Sequence, residues 1–129
     1  MTVEEDLVRV LQVNAGVSAL ISERIYALSL PQRVTLPAIR YQVISTSPEV
    51  AHNGPSGLQR NRIQLTVHAA TYASAQAVAV ALRRALDGRK GLFGPGTCCF
   101  VTNDLADYDV DSRHFMRHVD VEPWHREEV

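Results

Sequence analysis

Apolar residues recur along this chain with two different periods, and the switches between them mark out its elements. Val3, Leu7, Val10, Leu11 and Val13 follow at near-helical spacing behind Thr2-x-x-Glu5, the spacing of a capping box, with acidic residues in the first turn. This predicts a helix from about Val3 to Val13. Asn14-Ala15-Gly16, residues that tolerate a left-handed turn, are expected to end it, and Val17 to Ile21 to add one short helical turn. Arg24 to Leu28 reads as a short extended piece, and Pro31 and Pro37 bracket a connector unsuited to a central strand.

From Ala38 the period becomes two. Ile39, Tyr41 and Val43 alternate with Arg40 and Gln42, and the same pattern returns where Ile63, Leu65, Val67 and Ala69 alternate with Arg62, Gln64, Thr66 and His68. Both read as half-buried strands. Behind Thr71, a plausible N-cap, Ala75, Val78, Ala79, Leu82, Ala85 and Leu86 form one helical stripe, and Gly88 stands where such a helix ends. Gly91, Gly94, Pro95 and Gly96 make a turn-rich link into a strand over Thr97 to Asn103, and a last strand runs from Phe115 to Trp124.

This order lacks βαβ alternation. It predicts a single α+β domain over residues 1–129, mainly an antiparallel sheet with two main helices packed on one face. The opposite face would carry Arg40, Gln42, Arg62, Gln64, His118, Asp120 and Glu122, basic residues lying across from acidic ones, either solvated or paired with other subunits. Between the two long strands, the segment from Ser47 to Arg60 shows no core pattern although a two-residue turn would suffice to join them. It reads as a long loop, given shape by Asn53-Gly54-Pro55 and anchored by Val50 and Leu58.

Composition narrows the function classes. The 129 residues are 46% hydrophobic and 21% charged, ordinary for a folded domain, and the net charge of −1 from 13 basic and 14 acidic residues offers no basic surplus for nucleic acid. The acidic start differs from a signal peptide, and no stretch approaches the roughly 18 apolar residues of a membrane span, so the expected location is the cytoplasm. Cys98 and Cys99 are adjacent, and neighbours in a strand point to opposite faces, so they are read as thiols rather than a disulfide.

Candidate chemistry fails on spacing. His114 and His118 would share a helical face, but the local alternation says strand, which separates them too far for one metal. Asp107-x-Asp109-x-Asp111 copies the start of a calcium loop, yet Ser112 replaces the turn glycine and His118 the bidentate glutamate. Gly54-Pro55-Ser56-Gly57 lacks a residue of the nucleophile elbow, and Gly91-x-x-Gly94-x-Gly96 lacks both the strand and the lysine of a phosphate loop. No catalytic residue, metal or cofactor is therefore expected. The alternatives to a structural role are a small enzyme or a stand-alone binding module.

Several short motifs, taken in order, resemble the tail completion protein family of long-tailed phages, which has counterparts in phage-like gene transfer agents. They are Arg24-Ile25-Tyr26, Leu30-Pro31, Leu36-Pro37-Ala38-Ile39-Arg40-Tyr41, His52-x-Gly54-Pro55-Ser56-Gly57-Leu58-x-Arg60-x-Arg62-x-Gln64, Thr71-Tyr72-x-x-Ala75, Leu86-Asp87-Gly88 and Asp107-x-Asp109. The resemblance implies a tail terminator that caps the tail tube as a ring, typically hexameric, and meets the head connector or stopper protein, with genome DNA passing through the lumen without specific binding and no membrane involved. A neck adaptor on the head side is the nearest alternative. On this reading His52, Asn53, Gly54, Pro55, Ser56, Gly57, Leu58, Arg60 and Arg62 form an assembly-interface loop, and Asp104, Asp107, Asp109 and Asp111 an acidic contact loop. Arg60 and Arg62 either face the lumen or pair with Asp120 and Glu122.

Overall fold

Alternation on the two longest strands sets the architecture, because a strand apolar on one side and polar on the other covers only one face with helices. A computed structural model describes residues 3–51, 54–91 and 97–126, with side chains over 3–44, 60–91 and 97–124. The elements are α1 (Val3–Val13), α2 (Ala15–Ile21), β1 (Ile25–Ala27), β2 (Ala38–Ala51), β3 (Gly54–Ala69), α3 (Tyr72–Leu86), β4 (Arg89–Lys90), β5 (Cys98–Asp109) and β6 (His114–Arg126). The strands form one sheet in the order β1-β2-β3-β6-β5-β4. All neighbours are antiparallel except β1, which runs parallel to β2 at the edge, a pairing the sequence pattern does not announce.

The centre of the sheet is the β3–β6 pair, in register through Ile63↔Val121, Leu65↔Val119 and Val67↔Arg117. Ile63, Leu65, Val67, Ala69, Val119 and Val121 are buried with Ile39 of β2 and Cys99 of β5 against Leu7 and Leu11 of α1, Val17 and Ile21 of α2, and Val78, Ala79, Leu82 and Leu86 of α3. The six alanines of α3 leave a slim helix that lies close against β3, β5 and β6. Thr71 caps it as expected, its Oγ1 accepting the Ser74 N–H at 3.1 Å, and Gly88 follows it at φ 68°, a conformation glycine adopts without steric cost.

Three helices are present among the described residues, and the junction of the first two differs from the sequence expectation. Asn14 is not left-handed (φ −75°). It is the N-cap of α2, its Oδ1 accepting the Val17 N–H at 3.1 Å, so Gly16 lies inside a helix. A short polar residue serves either role, and the downstream apolar pair Val17 and Ile21, both buried, selects the cap. Thr2 of the capping box lies outside the described residues.

The larger correction concerns Ser47 to Arg60. Strands β2 and β3 run through this segment to Ala51 and from Gly54, with pairs as distal as Ser47↔Arg60, Val50↔Pro55 and Ala51↔Gly54. It is a β-ribbon, not a long loop. Register shifts between Val43 and Ser45 and between Pro48 and Val50 interrupt the alternation, so the period-two signal vanishes although the strands continue. His52 and Asn53 lie outside the described residues. A third register shift, between Val101 and Asn103 in β5, hides the outer half of that strand: Asp104 to Asp109, expected in a loop, are paired with β6 from Asp104↔Val119 to Asp109↔His114.

Leu82 packs wholly buried between α3 and the sheet. Replacing it (Leu82→Ala) is expected to lower unfolding free energy by about 2–5 kcal/mol, read from the denaturation midpoint by circular dichroism.

Candidate functional site

The polar face of the sheet is a bonded network. Because paired residues point the same way, register places Arg40 and Gln42 of β2, Arg60, Arg62, Gln64, Thr66 and His68 of β3, Met116, His118, Asp120 and Trp124 of β6, and Leu105 and Asp107 of β5 on the face away from the helices. No helix covers this face, yet Thr66 is 1% exposed, His68 7% and Asp120 4%, since long side chains from both flanking strands fold over them.

A hydrogen bond fixes the tautomer of neutral His68. Arg40 Nε donates to His68 Nε2 at 3.0 Å, which leaves the proton of neutral His68 on Nδ1, facing His114 Nδ1 at 3.1 Å. Burial, and secondarily the positive charge of Arg40, push His68 down to about 4. His118 bridges the next row, with Nε2 on Asp107 Oδ2 at 3.1 Å and Nδ1 on Thr66 Oγ1 at 3.1 Å, and its bond holds the Asp107 carboxyl below the usual range. His114 and His118 thus engage different partners, as their strand placement predicts. The His68–His114 contact crosses two strands and escapes any local spacing rule.

The predicted assembly residues divide. Gly54 to Leu58 lie in β3. Arg62 Nη2 donates to Asp120 Oδ2 at 3.1 Å, so this arginine pairs within the chain, and Arg60 lies with Cζ 5.7 Å from the centre of the Trp124 ring. Among the acidic residues, Asp104 faces the helix side because of the β5 bulge. There it takes two bonds from Arg117, at 2.8 Å each, and Arg83 Nε lies 3.4 Å away. This bidentate bond strengthens the protonated form of Arg117. Asp109 accepts from Ser112 Oγ at 2.7 Å within the β5–β6 turn, and Asp111, in that turn, is exposed.

Chemistry of other kinds finds little support in this arrangement. Cys98 and Cys99 are free thiols, and burial raises Cys99 to about 12, which keeps it protonated and unreactive. Among the described residues no three His, Cys, Asp or Glu side chains converge as metal ligands, and no helix is long and apolar enough to cross a membrane.

Two measurements test the network. His68 binds its proton more weakly folded than unfolded, so the folded state is at full stability above its ordinary value near 6.5 and loses stability as pH falls from there to about 4. His68→Gln is expected to flatten that part of the melting-temperature profile. Asp104→Asn leaves the largely buried Arg117 without its carboxylate and is expected to cost about 3 kcal/mol in chemical denaturation.

Comparison with known proteins identifies the scaffold. No match is found among curated protein sequences. A chain in the structure of the virion of a native gene transfer agent (GTA) particle has the same fold, with a TM-score of 0.71 at 18% identity over 96% of this chain and 92% of that one. The family model described as Tail completion protein gp17 matches residues 5–126. With nearly every element from α1 to β6 inside that match, the chain belongs to the tail completion protein gp17 family.

Proposed function

We propose that this protein is a structural subunit of a phage-like particle, a tail terminator that caps the tail tube as a hexameric ring and joins it to the head connector. The observation that carries this reading, beside family membership, is the distal ribbon. Pairing of β3 with β6 begins only at Leu58, so among the described residues the tip pairs Val50↔Pro55 and Ala51↔Gly54 belong to a ribbon of β2 and β3 alone. A two-stranded ribbon is marginal in water and gains stability from a surface to lie on. Copies of the chain and the tube supply such surfaces.

The polar face suits a passage for DNA that must not stick. Arg62 is paired with the Asp120 carboxylate, which offsets its charge and weakens its pull on phosphate, favouring transit over retention. No catalytic step is assigned, since assembly asks for complementary surfaces and a shape that ends polymerisation. The subunit would be made in the host cytoplasm and carried into the particle at the neck end of the tail, and the exposed acidic residues Asp107 and Asp111 would supply a second contact.

Deleting the gene and imaging the particles tests the terminator role: overlong or headless tails are expected, and normal tails joined to heads would refute it. Replacing Asn53 to Gly57 with a short flexible turn is expected to leave the monomer's melting curve intact while abolishing capped tails. Wild-type capping by that variant would remove the ribbon from the interface.

A further inference from the structure

The outermost strand edge, along β5, is a natural place for another chain to add, but it is blunted. Beyond β4, which covers only Cys98 and Cys99, the Val101 N–H is taken by Asp87 Oδ1 at 2.9 Å and the Tyr108 N–H by Asp107 Oδ1 at 2.8 Å. Contact at this end of the sheet therefore falls to side chains. The β5–β6 turn and the end of β5 leading into it present an unusual set: Val110 is 74% exposed and Tyr108 45%, flanked by Asp109 and Asp111, while Leu105, 57% exposed, lies further back along β5 on the opposite face. Exposed apolar groups clustered on a stiff hairpin mark an interaction site rather than a solvated tip.

The same molecule holds a concave counterpart. Between α2 and α3 lies a groove of about 390 Å³ whose floor includes Leu20, Ala77, Val80 and Ala81 and whose rim carries Arg84 and Arg89. It continues into a hollow beside Arg83 and Asp87. Arg89 is held across the end of α3 by bonds from Nε and Nη2 to the Arg84 carbonyl, at 3.2 and 2.9 Å, so its charge has a fixed place. Neither Arg84 nor Arg89 meets a carboxylate among the described residues, and Lys90 adds a further exposed cation.

We infer that the β5–β6 turn of one copy seats in the α2–α3 groove of the next, Val110 on the alanine floor and Asp111 toward Arg84 and Arg89. The acidic turn and the basic rim are opposite in charge, the exposed Val110 suits the apolar floor, and Arg113 is the one cation of the turn. A chain does not fill its own groove. The turn lies at the N-terminal end of α3, where Tyr72 meets Phe115 edge to face and Tyr108 lies tilted against Phe115, whereas the basic rim lies at the other end, about 20 Å away along the helix. A contact between unlike patches repeats head to tail and closes into a ring when the rotation permits. The inference rests on the ring reading above and names the surfaces that build the ring.

The test uses the full chain in particle-producing cells. A photo-reactive residue at Val110 is expected to cross-link, in assembled particles, to residues 16–20 or 77–89 of a second copy, and cross-links solely to another particle protein would overturn the assignment. Arg84→Glu and Asp111→Arg, both at exposed positions, are each expected to keep the wild-type melting temperature and reduce capped tails roughly tenfold, while the double exchange restores capping because every copy carries both sides of the contact. If wild-type rings form and both single variants assemble at wild-type yield, this contact is wrong and the ring stands. If wild-type protein forms no ring on the tube, the ring reading fails and this contact with it.

Discussion

Everything in this fold depends on the pairing of β3 with β6 at the centre of the sheet. Ile63, Leu65 and Val67 on one strand and Val119 and Val121 on the other supply the floor of the core, and each is fully buried. A one-residue slip of this pair would send the apolar set to the open face and bring Thr66, His68 and Asp120 under the helices. Register is thus enforced twice, by burial on one side and by the Arg62–Asp120 and Thr66–His118 bonds on the other.

That double enforcement explains how an uncovered sheet face stays ordered. Its polar groups bond one another across strands, with Asp120 Oδ1 the buried exception, which lowers their appetite for water and for passing ligands alike. The helix side uses the same device once, where Asp104, Arg117 and Arg83 tie β5, β6 and α3 together beyond the reach of the apolar core. A rigid central platform of this kind lets the periphery, the distal ribbon and the β5–β6 turn, serve as contact surface without loosening the domain.

Assembly and edge protection pull in opposite directions, and the chain separates them in space. Asp87 and Asp107 cap the open edge of β5 against unplanned strand addition, while apolar Val110 stands clear of that edge on the turn. Specific joining then requires a shaped partner, which a bare strand edge does not demand.

The sequence by itself determined the α+β class, the core stripes of α1 and α3, the Thr71 cap and the alternation of β2, β3 and β6 near the core, because each is a local pattern imposed by burial on one side. Membership of the tail completion family was also legible, in the ordered motifs from Arg24 to Asp109. Tertiary structure alone decided three things. The ribbon over Ser47 to Arg60 and the outer half of β5 read as loops, since a bulge breaks the alternation and a strand outside the core has no apolar face to reveal it. The cap role of Asn14 depended on which downstream residues were buried. The His68–His114 contact and the Asp104–Arg117 pair joined residues far apart in sequence, and only strand register, set by the shared core, brings such groups within bonding distance.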